Sequence, residues 1–213
     1  MALLDYERDP DEIYRQSFAT IRKEVDLSRF DQGMQKLAIR LIHSCGMVDV
    51  VDDIAFSPNA FDVGREALFH GGSVICDVEM VRHGIIERLM PSDNEIICCL
   101  NDPSVRQIAK QQQTTRSAAQ VELWREKLAG SVVAIGNAPT ALFRLLELIG
   151  EGAVKPALII GIPVGFVGAV ESKDALITNE LGIPFISVRG RRGGSAMASA
   201  AVNALAGKLE NHG

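Results

Sequence analysis

The stretch "SVVAIGNAPTALFRLLELIGEG" (131–152) contains the unit on which the fold depends. Its first six residues are almost all apolar or small, with no alternation between apolar and polar positions. Such continuous apolarity is typical of a strand that is covered on both faces. A Gly-Asn-Ala-Pro turn follows, and beyond it apolar residues recur at the three- and four-residue spacing of a helix. The stretch therefore predicts a strand, a tight turn and a helix in succession.

The same alternation recurs along the chain. Further strand-like runs lie at 73–77, 94–100, 157–161 and 184–188, and helix-like segments lie at 78–86, 114–128, 171–181 and 195–210. This order predicts an α/β fold with three α/β/α layers around a parallel, doubly wound sheet. The first 70 residues contain two amphipathic helices, at 9–25 and 31–45, and no clear strand, so we expect a helical layer there. Without repeats or linkers, we expect a single domain, 1–213.

Charge and composition limit the kinds of partner. The chain has 22 Lys and Arg against 27 Asp and Glu, a net charge of −5, which argues against nucleic acid or an anionic membrane as a partner. The four cysteines lie in apolar runs without the paired spacing of a zinc site, so we expect no metal and a reducing compartment. No secretory segment and no apolar run of about 18 residues is present. We therefore expect a soluble, cytoplasmic protein.

The loops that follow the predicted strands are rich in glycine and proline. They lie at 98–104, 135–140, 161–168 and 189–195. In open parallel sheets ligands bind at this edge, and loops of this kind offer backbone N–H groups to an anion. We therefore expect a phosphate or carboxylate ligand, with Asn137, Thr140 and Gly165 as candidate contacts. Tight turns needed only for packing are the alternative, and neither G-x-G-x-x-G nor G-x-x-x-x-G-K-[ST] is present to support a nucleotide.

The sharpest basic motif is "RGRRGGS" (189–195), at the end of the last predicted strand. Its candidate ligand contacts are Arg189, Arg191, Arg192, Gly193, Gly194 and Ser195. The arginine fork suits carboxylate or phosphate, and Ser195 is expected to cap the next helix. A solvated basic turn is the alternative. Arg116 begins another predicted helix, where a cation opposes the helix dipole unless an anionic ligand offsets it.

One histidine has a setting that suggests proton transfer. In "RLIHSCGMVDVVDD" (40–53), helical spacing places His43 beside Arg40 and Lys36, opposite the apolar stripe. His43 lies in the last turn before Gly46, which is predicted to end the helix, and a helix C-terminus favours the imidazolium form. A protonated His43 could act as a general acid on an anionic substrate. Equally, the three residues could form a solvated face.

Other motifs narrow the chemistry. No G-x-S-x-G, H-E-x-x-H or H-x-E…C-x-x-C motif accompanies the histidines, so hydrolysis and metal-assisted deamination lack their usual sequence support. Asp77 and Glu79 follow a predicted strand, where they could orient a ligand group. Capping of a helix N-terminus by an acid is the commoner role for such residues.

Taken together, these segments resemble the precorrin-8X methylmutase family of cobalamin biosynthesis over nearly the whole chain. The resemblance rests on long motifs in the right order, namely "RDPDEIYRQSFATIR", "RLIHSCGMVDV", "DVEMVRHGI", "TRSAAQVELW", "AIGNAPTALFRLLEL", "PALIIGIPVGFVGAVESK" and "GRRGGSAMASAAVNALA". It implies a flavodoxin-like five-stranded parallel sheet and a homodimer with its active site near the interface. It also implies that the protein uses neither a metal nor an organic cofactor.

The resemblance further implies that the protein moves the C-11 methyl group of precorrin-8X to C-12, giving hydrogenobyrinate. It places the proton donor and acceptor on His43 and a substrate contact on Ser17, with a further contact on Arg116. The sequences of these motifs are closer to those of family members that act on the metal-free substrate than to those that act on the cobalt-bearing one. A flat ring with several carboxylates calls for dispersed arginines such as Arg40, which agrees with the reading of the residues. A tetrapyrrole carrier without chemistry and a nucleotide-binding domain are the alternatives.

Overall fold

A computed structural model gives the fold of residues 4–207. The strands are Ile54–Phe56 (β1), Val74–Cys76 (β2), Ile96–Cys98 (β3), Val132–Ile135 (β4), Leu158–Gly161 (β5) and Phe185–Val188 (β6). The α-helices are Pro10–Glu24 (α1), Gln32–Cys45 (α2), Ala60–Phe69 (α3), Glu79–Gly84 (α4), Pro103–Gln111 (α5), Arg116–Ala119 (α6), Pro139–Gly150 (α7), Ala169–Ile177 (α8) and Ser195–Ala206 (α9). Short 3₁₀ segments span Val48–Asp53, Glu87–Leu89 and Gln120–Lys127.

All five predicted strands form, and they pair in parallel in the order β3-β2-β4-β5-β6. This is the flavodoxin-like strand order, so the α/β class is confirmed. The expectation of five strands is wrong by one, because β1 pairs antiparallel with β6 at the sheet edge and places Ile54 opposite Val188. With three residues after an acidic segment, β1 is too short to produce a hydrophobic run in the sequence. Within residues 4–207 the sheet is therefore mixed and six-stranded.

Alternate residues of the central strands face two separate cores. In β4, Val132 and Ala134 belong to one core, and Val133 and Ile135 belong to the other. Helices α1, α2, α3, α4 and α9 cover the first core, whereas α7, α8 and the segment Gln120–Lys127 cover the second. Because both faces are buried, every position of such a strand must be apolar, which explains the uninterrupted runs in the sequence.

Helix α2 packs against both α1 and α9 and carries His43. Its predicted apolar stripe is buried at Met34, Leu37, Ala38, Leu41 and Ile42. The helix begins after Asp31, whose side chain accepts a hydrogen bond from the Met34 amide, and it ends at Gly46 in the left-handed conformation (φ 69°). The predicted N-terminal helical layer and the glycine stop are thus confirmed.

The segment that follows α2 lies at the carboxyl edge of the sheet. Since β1 is antiparallel, its first residue lies at this edge, and the segment Val48–Asp53 precedes it there. The Arg189 amide donates to the Asp53 carbonyl at 2.8 Å and joins the two segments. The last predicted helix, 195–210, is observed as α9, and its final residues lie outside those described. Within residues 4–207 no helix has the length and apolarity needed to cross a bilayer.

Candidate active site

His43, on α2, packs against one face of α1. Ser17 Oγ lies 2.8 Å from His43 Nδ1, and the rings of Tyr14 and Phe18 have centroids 5.5 and 5.4 Å from the imidazole centroid. These three α1 residues share a face because positions i, i+3 and i+4 of a helix lie together. The hydrogen bond to Ser17 fixes the ring, and Nε2 has no hydrogen-bond partner among the described residues. Nε2 is therefore the atom that can exchange a proton with a ligand.

The surroundings of His43 favour the neutral imidazole. Burial against α1 lowers the pKa of His43, and the nearby charge of Arg40 lowers it further. The sequence predicted that the C-terminus of α2 would favour the imidazolium form, whereas partial burial and the charge of Arg40 shift the pKa of His43 in the opposite direction. Negative charge from a bound ligand would raise the pKa again.

Two cavities flank α1 near this histidine. The smaller has a volume of about 260 Å³ and is lined by Ser17, Thr20, Ile21, Ile42, His43, Gly46 and Val48. The larger has a volume of about 710 Å³ and includes Phe18, Arg40 and Lys36, together with Arg22 and Arg88, which the sequence did not single out. Phe18 lines the larger cavity and packs edge-on against His43, which lines the smaller one.

The arginines of the 189–195 loop differ in what they contact. Arg192 makes ion pairs with Asp49 at 2.6 Å and Asp53 at 2.5 Å, and these carboxylates raise the pKa of its guanidinium. Arg192 thus ties the loop to the segment that follows α2. Arg191 is exposed and lies over the Phe166 ring, 5.3 Å from its centroid, and Arg189 is exposed as well. Only the last two present their charge to solvent.

Two glycines of this loop are required by the backbone, Gly193 by a close approach and Gly194 by its positive φ. A side chain at Gly193 would place its Cβ 2.3 Å from the Ile162 carbonyl oxygen, and the Gly194 amide donates to that same oxygen at 2.9 Å. The Gly165 amide donates to the Arg191 carbonyl at 3.2 Å. Ser195 is buried as the first residue of α9 and makes no capping bond, so the prediction that it caps the helix is wrong. Gly194 takes the cap position, with φ 125°.

Arg116 and Thr140 form a third group. Arg116 donates to the Leu100 carbonyl at 2.7 Å and to Asn101 Oδ1 at 3.1 Å. Thr140 shares a 2.8 Å hydrogen bond with Thr115, the N-cap of α6. Within the described residues, no hydrogen bond or ring contact connects this group with His43.

The amides of the 135–140 loop are occupied by Asp77. Its carboxylate accepts hydrogen bonds from the amides of Gly136, Asn137 and Ala138 at 3.0, 2.9 and 2.8 Å. The expectation that this loop offers free amides to an anion is therefore wrong, although the Asn137 side chain is exposed. Because β2 and β4 flank the switch point of this strand order, Asp77 also fills the position where a nucleotide phosphate would bind.

The structure thus joins only part of the predicted set. Ser17, Arg40 and His43 come together between α1 and α2, whereas the carboxyl-edge residues make contacts of their own. Sequence reasoning missed Tyr14 and Phe18 as neighbours of His43. Their helical spacing with Ser17 was a usable signal, but nothing in the sequence indicates that α1 lies on this turn of α2.

Comparisons with known proteins agree with this architecture. The family model for precorrin-8X methylmutase matches residues 12–208. A precorrin-8X methylmutase from Pseudomonas aeruginosa is 57% identical over 208 residues, which cover 98% of this chain and all of that protein. A cobalt-precorrin-8 methylmutase from Priestia megaterium is 38% identical over 197 residues, covering 92% of this chain and 87% of that protein.

A solved structure of precorrin-8X methyl mutase from Thermus thermophilus is similar in fold. It has a TM-score of 0.83 and 36% sequence identity, and the match covers 92% of this chain and 94% of that chain. Sequence and fold thus agree over almost the full length. The chain belongs to the precorrin-8X methylmutase family.

Proposed function

We propose that the protein is an isomerase that converts precorrin-8X into hydrogenobyrinate in cobalamin biosynthesis, by moving the C-11 methyl group to C-12. Membership of the family and the name of the Pseudomonas aeruginosa relative support this activity. The observation that carries the assignment of the site is the His43 ring. Its Nδ1 is held by Ser17, while its Nε2 has no partner among the described residues.

His43 donates a proton to the macrocycle and takes it back. Protonation of the conjugated ring weakens the bond to the migrating methyl group, and loss of that proton after the shift leaves no net change. In the free protein the lowered pKa of His43 favours the neutral imidazole. Carboxylates of the substrate would raise the pKa of His43, so that it takes up the proton when the substrate binds.

The remaining contacts are assigned by their availability. Arg40 lies one turn from His43, and Arg189 and Arg191 are exposed, so these three bind carboxylates of the ring. Of the other candidates, the exposed Asn137 side chain is available for a polar contact, whereas Thr140, Gly165 and Arg116 already make hydrogen bonds within the protein and are secondary contacts. In contrast, Arg192, Gly193, Gly194 and Ser195 shape the loop through the bonds described above, and we propose that they act on the substrate only through it.

The substrate is metal-free precorrin-8X. The Pseudomonas aeruginosa relative, named for that substrate, is 57% identical, whereas the Priestia megaterium relative, named for the cobalt form, is 38% identical. The cobalt form is the second candidate. Turnover of both substrates by the same preparation would decide between them.

The protein acts as a homodimer in the cytoplasm. Val164, Phe166 and Val167 form an exposed apolar patch at the carboxyl edge, and Phe166 and Val167 retain 86% and 90% of their accessible surface. A second copy of the chain is the occupant that the family resemblance suggests for this patch. All four cysteines are free, which supports a reducing compartment.

The test of the site compares His43→Ala with His83→Ala, an exposed histidine on α4. We expect His43→Ala to slow the spectral conversion of precorrin-8X by about 10²–10⁴-fold, because one general acid and base is lost. The control should keep the wild-type rate. Circular dichroism and ligand binding would show that both variants are folded.

Three outcomes would contradict the proposal in different ways. A folded His43→Ala variant with the wild-type rate would remove the role of His43. Wild-type protein that binds precorrin-8X without changing its absorption spectrum would be a carrier instead. Bound nucleotide or flavin after purification would point to the nucleotide-binding alternative, which the occupied amides around Asp77 disfavour.

A further inference from the structure

The larger cavity beside α1 concentrates positive charge. Four of its lining residues are cationic, namely Arg22, Lys36, Arg40 and Arg88, and within residues 4–207 no acidic side chain lines it. They come from α1, α2 and the segment Glu87–Leu89, which are far apart in the sequence. Like charges gathered this way repel each other unless an anion lies between them. In a chain of net charge −5, this arrangement indicates a ligand that carries several negative charges.

Arg40 gives a second, independent observation. Its Nε atom is buried and has no hydrogen-bond partner among the described residues. The guanidinium lies 5.8 Å from the centroid of the Phe18 ring, at the wall of the cavity. Buried donors are nearly always paired, so an unpaired one marks a place where a ligand completes the bonding.

The volume and the apolar lining of this cavity indicate what kind of ligand it can bind. The volume of about 710 Å³ lies in the range of small-molecule sites. Besides the cations, the walls are apolar at Phe18, Ile39, Phe69, Leu89, Met90 and Pro91. Apolar walls with a cationic rim suit a flat ring bearing carboxylates at its edge.

We infer that this cavity binds carboxylate side chains of the tetrapyrrole, with Arg22, Arg40 and Arg88 as their contacts. The inference rests on the proposed function and deepens it, since His43 and Ser17 account only for the reacting part of the ring. Arg40 connects the two regions, because it neighbours His43 on α2 and lines the cavity. The Phe18 ring lines the carboxylate site and packs against the proton donor.

The experiment substitutes Arg88, which is exposed and acts in no step assigned to His43. In the full-length, ligand-free protein, Arg88→Met should raise the Kd for hydrogenobyrinate by about 10-fold, because a charge-assisted hydrogen bond is lost. The KM for precorrin-8X should rise by a similar factor with kcat unchanged, as expected for a contact made equally in the ground and transition states. Arg22→Met should behave alike. Arg106→Met, an exposed arginine on α5, is the matched control.

The outcomes separate this inference from the function on which it rests. Folded Arg88→Met and Arg22→Met variants with Kd and KM within about twofold of wild type would overturn it, even if wild-type protein turns over precorrin-8X. The same increase in Arg106→Met would also overturn it, since the effect would then come from overall charge. If wild-type protein does not convert precorrin-8X, the proposed function fails. The hydrogenobyrinate titration still decides in that case whether the cavity binds its carboxylates.

Discussion

At the scale of single residues, Lys173 shows how a buried side chain supports the 189–195 loop of the candidate site. The side chain is completely buried on α8, which is unusual for lysine, and its Nζ donates to the Arg192 carbonyl at 2.7 Å. Burial lowers the pKa of Lys173 to about 8, although the negative charges of Asp174 and Asp53 oppose the shift. The lysine therefore supports the 189–194 loop at the cost of burying a charge.

This burial predicts a particular dependence of stability on pH. Between pH 8 and 10.5 the unfolded chain binds more protons at Lys173 than the folded chain, so the free energy of unfolding should rise with pH in that window. The contribution is about 3 kcal/mol, from about 1.4 kcal/mol per pKa unit. Lys173→Met should lack this contribution, whereas Lys155→Met, at an exposed lysine, should keep it.

Urea unfolding of the three proteins at pH 7.5 and pH 10 provides the measurement. Other titrating groups, including the cysteines, are common to all three, so the difference between wild type and Lys173→Met isolates the lysine. A difference that stays constant between the two pH values would show that Lys173 has an ordinary pKa in the folded protein.

At the scale of elements, α7 depends on a group from outside its own sequence. The helix makes no side-chain capping bond of its own, and the amides of the turn just before it, Gly136, Asn137 and Ala138, donate to Asp77, which follows β2. Gln120 Nε2 donates to the Asp77 carbonyl at 2.7 Å and adds the segment after α6. Burial raises the pKa of Asp77, while the three amide donors act in the opposite direction. Asp77 thus joins β2, the loop after β4 and α7 at one point.

We expect Asp77→Asn to destabilise the protein by about 2 kcal/mol, since its amide group cannot accept the hydrogen bonds that both carboxylate oxygens accept. Urea unfolding at pH 7 would measure the change. Asp93→Asn, at an exposed position, is the control and should leave the midpoint unchanged. Equal unfolding midpoints for Asp77→Asn and wild type would show that the amides find other partners.

At the scale of the whole molecule, the least buried large apolar residues described lie in one loop. Phe166 and Val167, together with Val164, follow β5 and project from the carboxyl edge, beside the exposed Arg191. Contiguous apolar surface of this kind is typical of an interaction site. Because the 189–195 loop lies next to it, a partner docked here would also border the groups proposed to bind substrate.

The proposed homodimer predicts a concentration-dependent effect at this patch. Replacing Phe166 and Val167 by serine should shift the protein from dimer to monomer in sedimentation at micromolar concentration, because the apolar area buried between copies is lost. Val154→Ser, at another exposed valine, should remain dimeric. Wild-type protein that sediments as a monomer would contradict the homodimer.

The amino-acid sequence by itself determined the layered α/β architecture, the five parallel strands and the stripe and stop of α2. Those features arise from local periodicity and turn chemistry, which act between residues close in the chain. The sequence did not predict the edge strand β1, because its three residues carry no hydrophobic pattern and its pairing with β6 depends on a distant segment.

Only the tertiary structure decided what each candidate side chain does. Arg192 is paired with Asp53, and the Asn137 amide donates to Asp77. Each carboxylate lies far from its partner in the sequence. The lowered pKa of His43 likewise comes from its partial burial against α1 and from the nearby charge of Arg40. Composition and spacing name the groups that could bind or titrate, but availability and pKa depend on neighbours that folding brings together across the chain. The sequence thus named His43 as a candidate, and the fold decided the direction of its pKa shift and its partner Ser17.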